Sequence, residues 1–125
     1  MQRTNGPLGA LLFIALGAGA SANDLHVPII EHASDGQMAS CSSSMVSGLD
    51  PNGDGFLAVR AGPGSHYPKL GELYNGEIVL VYDQKGEWAG VVYRGSFGCD
   101  SIVTREVTHP NRGWVHTNWL RHHAG

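Results

Sequence analysis

The chain has 125 residues, 42% of them hydrophobic, with 8 basic and 11 acidic side chains and a net charge of −3. The basic residues stand singly rather than in a patch, which argues against a nucleic-acid binder and against a polybasic module for anionic membrane surfaces. Eighteen glycines, six prolines and two cysteines point instead to one small, turn-rich domain.

Arg3 supplies a short basic start, and Leu8 to Ala20 is an apolar run closed by Ala20-Ser21-Ala22. That layout is expected of a signal peptide cut after Ala22, in residues 1–22. The rival reading is a membrane anchor, but a spanning helix needs about 20 apolar residues and this run is shorter. The first cysteine, Cys41, stands too far downstream to be a lipoprotein acceptor. The expected product is Asn23 to Gly125, 103 residues with 7 basic and 11 acidic side chains, periplasmic or secreted and without a membrane span.

Residues 23–44 are polar and irregular, ending in Ser40-Cys41-Ser42-Ser43-Ser44. They read as a flexible lead-in. Cys41 and Cys99 are the two cysteines, and in an oxidising compartment a pair in a small domain joins as a disulfide. Closing a loop of that size stabilises a fold by about 4 kcal/mol in the chain-entropy account. The alternative is a free thiolate activated by a histidine.

From Met45 onward, Gly, Pro, Asn and Asp punctuate short β-branched or aromatic runs, the pattern of an all-β barrel or sandwich. Phe56–Arg60 alternates and predicts a strand. Ala61 to Pro68 is a Gly- and Pro-rich loop, and Lys69–Tyr74 predicts a second strand. Asn75-Gly76 predicts a type I′ hairpin turn. Glu77–Asp83 follows as a strand, Gln84 to Glu87 as a turn, and Trp88–Tyr93 as the returning strand. Gly113–His116 predicts the last strand, with a single turn over Thr117–Leu120 and a solvated tail at 122–125.

In Glu77–Asp83 both faces are apolar, with Val79 and Val81 on one and Ile78, Leu80 and Tyr82 on the other. Something must cover the second face. The segment 94–112, with Ile102, Val103 and Val107, is too long for a structureless loop, and is expected to form an extra hairpin or flap pinned by Cys99 over Ile78 and Leu80.

Taken in order, Gly48-Leu49-Asp50-Pro51-Asn52-Gly53-Asp54, Leu57-Ala58-Val59-Arg60-Ala61-Gly62-Pro63-Gly64, Tyr67-Pro68, Asn75-Gly76, Gly86-Glu87-Trp88 and Gly113-Trp114-Val115 resemble the bacterial SH3-like domain family over about Val46 to Leu120. The resemblance implies a small SH3-like barrel of five to seven short strands at 45–121. It also implies that Gly62 and Gly64 shape the loop after the first strand, that Pro63 stiffens it, and that Arg60 is a structural hydrogen-bonding residue. Trp88, Gly113 and Trp114 become barrel residues. The sequence departs from the family at 94–112, an insert that could build or occlude a groove.

The function implied is a non-catalytic binding module for peptide-like ligands, either a cell-wall peptide or an envelope protein partner. Tyr67, Tyr74 and Trp119 are the candidate ligand contacts, since exposed aromatics supply such recognition; the stronger rival reading for each is a packing residue, because a domain this small needs its Trp and Tyr for core volume. The alternative is a structural or inhibitory protein whose insert blocks the groove.

Other chemistry is weakly supported. Asp50 to Gly55 matches the first half of a calcium loop, but its twelfth position is Ala61 where a bidentate Glu is needed. His66, His109, His116, His122 and His123 lack zinc-motif spacings. Ser96 misses the G-x-S-x-G register, and the carboxylates Glu72 with Glu77 and Asp83 with Glu87 flank turns. No metal, cofactor or catalytic residue is therefore expected.

Overall fold

Leu57-Ala58-Val59-Arg60 alternates in space as it does in sequence, with Leu57 and Val59 buried and Ala58 and Arg60 turned to the other side. A computed structural model of the chain describes residues 25–34, 39–53 and 55–124. The expected signal peptide lies outside the described residues.

The strands are β1 (Ile30–Glu31), β2 (Ser42–Val46), β3 (Leu57–Arg60), β4 (Lys69–Leu73), β5 (Ile78–Lys85), β6 (Trp88–Tyr93), β7 (Arg105–Glu106), β8 (Arg112–His116) and β9 (Leu120–Ala124), with a 3-10 turn at Thr117–Trp119. Seven of them make one antiparallel sheet in the order β9-β2-β5-β6-β8-β3-β4, and β1 pairs with β7 as a separate ribbon. Bulges between Val59 and Arg60 and between Val81 and Asp83 bend the long sheet, as bulges do in small barrels. The architecture is all-β and agrees with an SH3-like barrel.

Two cores lie on opposite faces of β5. The inner one gathers Val46, Leu57, Val59, Leu73, Val79, Val91 and Val115. The outer one gathers Ile29, Tyr82, Val92, Val107 and Trp114, with Leu80 packed against it. The second apolar face of β5 is thus covered, but by two segments acting together.

The described part of 23–44 is packed rather than a flexible lead-in. Ile29 and Glu31 are fully buried, and Ser42, Ser43 and Ser44 of the cluster belong to β2, between β9 and β5. Ile29 seats against Gly90, where a side chain would leave no room. The buried carboxylate of Asp83 accepts the Ile30 N–H at 2.9 Å and meets His32 Nε2 at 3.1 Å.

Of the two forms expected for the insert 94–112, it takes the flap rather than a hairpin of its own. Its short strand β7 pairs with β1, and the Val107 N–H donates to Ile29 C=O at 2.9 Å. Glu31 explains the preference: its carboxylate, shut away from water, takes Arg105 Nε at 2.7 Å and the Ser40 hydroxyl, and a buried charge needs such partners. Cys41 and Cys99 are joined in a disulfide that ties the two segments. Ile78 stays 40% exposed, outside this cover, and Ile102 and Val103 protrude while Val107 is buried.

Asn75-Gly76 is not a hairpin turn either. β4 pairs with β3, whereas β5 pairs with β2 and β6, so the turn carries the chain from one end of the sheet to its middle. Gly76 has φ +93°, while Arg94 is the one described non-glycine residue with positive φ. A turn with positive φ only at its third position, closed by Glu77 N–H to Tyr74 C=O at 3.1 Å, is type II rather than I′. The tight hairpin lies at Gly86-Glu87, between the paired Lys85 and Trp88, so β5 runs two residues past Asp83. His122 and His123 are likewise not a loose tail, because β9 pairs with β2 as far as Ala124.

Candidate functional site

Asp50-Pro51-Asn52-Gly53 is turn chemistry: Asp50 Oδ1 accepts the Asn52 N–H at 2.9 Å, and Asp50 C=O accepts the Gly53 N–H at 3.0 Å. Gly48 and Gly55, with φ +85° and +71°, let the chain reverse on either side. The loop then enters β3 through Phe56. At its start, Asn75 holds Leu49 by two bonds, donating from Nδ2 to Leu49 C=O at 2.9 Å and accepting the Leu49 N–H at 3.1 Å.

The opposite wall is the 3-10 turn. Trp119 lies against Gly48, where a Cβ would stand 3.5 Å from the indole, and its C=O accepts the Ser47 N–H at 2.9 Å. Leu49, Asp50, Gly55, Phe56 and Trp119 line a cleft of about 230 Å³ between loop and turn. It has two aromatic side chains, one aliphatic, and one carboxylate at its rim.

A charged surface leads away from Phe56. Lys69 Nζ lies 4.7 Å from the centre of the Phe56 ring and pairs with Glu72. Glu72 accepts the Tyr74 hydroxyl at 2.9 Å. Arg94 grips Glu77 at 2.9 and 2.8 Å and donates to Glu72 C=O at 3.0 Å. The hydrogen bond from Lys69, then that from Tyr74, holds the Glu72 carboxyl below its usual range, and the bond to Glu72 pushes the Tyr74 phenol up.

Of the three aromatic candidates, Trp119 is in the cleft. Tyr74 stands about half exposed on the adjoining charged surface. Tyr67 is elsewhere: its ring is laid across Gly62 and Gly64, with His66 stacked at 4.3 Å and His26 edge-on at 6.0 Å. A Cβ on Gly62 would stand 2.6 Å from that ring, so close approach is what requires glycine there. Pro63 sits inside a tight turn closed by Gly64 N–H to Gly62 C=O at 2.9 Å, and Arg60 Nη1 donates to Tyr67 C=O at 3.1 Å.

Trp114 is fully buried and donates its indole N–H to Val27 C=O at 2.9 Å. Trp88 is half-buried beside the outer core. A Cβ on Gly113 would collide with Val59 and approach Arg60 C=O to 3.0 Å. Phe56, Leu49 and Asn75 are not among the ligand contacts expected from sequence, since Phe56 reads there as the first residue of a strand and Asn75 as a turn residue.

A wider, open depression of about 430 Å³ lies at His32, Ser40, Cys41 and Asp83. It runs up to Ala39, at the limit of the described residues, and Asp83 already has its partners. Among the described residues, no group of three or more His, Cys, Asp or Glu side chains could hold a metal ion. No described helix is long and apolar enough to cross a membrane.

A family model described as bacterial SH3 domain matches residues 55–121, taking in Gly55, Phe56 and Trp119 of the cleft and the whole of the insert. No curated protein and no solved structure matches the chain.

Proposed function

The chain belongs to the bacterial SH3 domain family, and we propose that it is an exported binding module whose cleft at Phe56 and Trp119 takes a peptide-like ligand of the cell envelope. The family domain is non-catalytic and generally binds cell-wall peptides. The observation that carries the reading is the cleft itself: a concave site with aromatic walls and a polar rim is the usual form of a small recognition pocket. Asp50 at the rim favours an amine-bearing segment, such as the free amino group of a cell-wall stem peptide. Tyr74 and the Lys69–Glu72 pair offer such a ligand a continuation along the surface.

Among the described residues lining the cleft, none comes from 94–112, which supports an open groove over one blocked by the insert. The test is co-sedimentation of the mature protein with purified peptidoglycan sacculi. Trp119→Ala and Phe56→Ala should each weaken binding by about 2 kcal/mol, roughly thirtyfold, if they are the anchors. Failure of the wild type to sediment removes the cell-wall ligand. A partner protein is then the remaining reading, favoured by the exposed Ile102 and Val103, which stand 78% and 59% open to solvent.

A further inference from the structure

We propose that His116 is the positioning residue for Trp119, and that protonating its imidazole loosens the turn that holds Trp119 in the cleft. The inference rests on the cleft being the ligand site, but its central measurement needs no ligand.

His116 ends β8 with extended backbone angles, φ −76° and ψ 130°, and caps the 3-10 turn: its Nδ1 accepts the Asn118 N–H at 3.0 Å. A ring nitrogen accepts only when it carries no proton. The hydrogen of the neutral ring therefore belongs on Nε2, which faces Glu87 Oε1 at 3.1 Å. The geometry selects one tautomer of one charge state. Glu87 also accepts the Thr117 N–H on its C=O at 2.8 Å, and Trp88 stands edge-on to the imidazole at 5.3 Å. The ring is thus fixed over the first residues of the turn whose third residue is Trp119.

A second proton would sit on Nδ1 and point at the Asn118 N–H, two donors face to face. One group must turn away, and the turn loses its cap. Glu87 is the charged group that faces the imidazole, and it is satisfied by Nε2–H in either state, so it does not oppose the change. Trp88 carries no charge. Imidazole ordinarily changes charge between about pH 5 and about pH 8, a range met outside the cytoplasm. The cleft would be assembled at the upper end and slackened at the lower.

Indole N–H resonances of the mature protein read this directly, with Trp119 identified by its loss in Trp119→Phe. In the wild type the Trp119 signal should move in a single step over the range in which an imidazole ordinarily changes charge. His116→Asn keeps a capping acceptor that does not titrate, and should leave Trp119 at its high-pH position throughout. His116→Phe has no acceptor and should place it at the low-pH position throughout. A Trp119 signal that titrates unchanged in His116→Asn, or stays still while His116 titrates, overturns the proposal.

Sacculi binding should fall about tenfold across the same range in the wild type, the order of one lost cap, and stay level in His116→Asn. If the wild type binds no sacculi at either pH while Trp119 follows His116, the positioning role stands and the cell-wall ligand is what fails.

Discussion

Asn75 and Leu49, 26 residues apart, are joined by two hydrogen bonds in which the Asn75 side-chain amide does what a neighbouring strand would do, giving to the Leu49 C=O and taking the Leu49 N–H. The clamp binds the turn after β4 to the loop that forms one wall of the cleft. Asn75→Ala should cost about 1–3 kcal/mol, because a part-buried backbone pair is left without partners. Asn75→Asp sets a carboxylate oxygen against the Leu49 C=O and should not restore the clamp. Urea denaturation checks both, and faster amide exchange at Leu49 in Asn75→Ala would place the loss in the loop.

Gly90→Ala tests the outer layer. A Cβ there would meet Ile29 at 2.8 Å and Asp83 Cβ at 3.3 Å, pushing the 25–34 segment off β6. Destabilisation of about 1–3 kcal/mol is expected from overpacking. The combination Gly90→Ala with Ile29→Ala should recover part of it, since the colliding methyl groups are gone; strict additivity of the two losses in thermal melts would count against the contact.

Arg105→Ala leaves the fully buried Glu31 carboxylate with the Ser40 hydroxyl alone. Losing one partner of a buried pair costs about 3–5 kcal/mol, but Arg105 is 42% exposed, so about 2 kcal/mol is the expected loss. Adding Glu31→Gln should restore most of it by removing the stranded charge. A double-mutant cycle measured by chemical denaturation separates this coupling from two independent effects.

Tyr82 sets an alkaline limit on stability. Burial, with a further contribution from the Glu31 charge, pushes its phenol from the ordinary 10.0 up to about 12, and its hydroxyl donates to Phe97 C=O at 2.7 Å. The folded state therefore favours the neutral form. Its contribution is complete below pH 10 and is lost as pH rises from there through about 12. Tyr82→Phe should be less stable at neutral pH and decline less steeply over that alkaline range. Tyr93, also pushed up by burial, stays in both proteins and so cancels in the comparison.

Local sequence went far toward the barrel. The alternation of Leu57–Arg60 and the run Trp88–Tyr93 are strands because neighbouring residues, two apart, must share a face. The double apolar character of Glu77–Asp83 showed that β5 has cover on both sides. The pattern of Gly62-Pro63-Gly64 and Trp114 carried the family. Turn connectivity was harder to read: Asn75-Gly76 has hairpin chemistry, yet the pairing of β4 with β3 and of β5 with β2 and β6 is decided by which strands share the inner core. No local signal records that choice.

The sequence by itself determined an all-β chain with two cysteines suited to one bridge, because strand periodicity and turn residues act over a few positions. Only the tertiary structure decided what the bridge holds. Cys41 and Cys99 tie a packed N-terminal segment to the insert, with Ile30–Glu31 paired to Arg105–Glu106, because the buried Glu31 carboxylate needs a cation that the chain supplies 74 residues later. The cleft is of the same kind: Leu49, Phe56 and Trp119 meet only once Asn75 and His116 have closed its two walls.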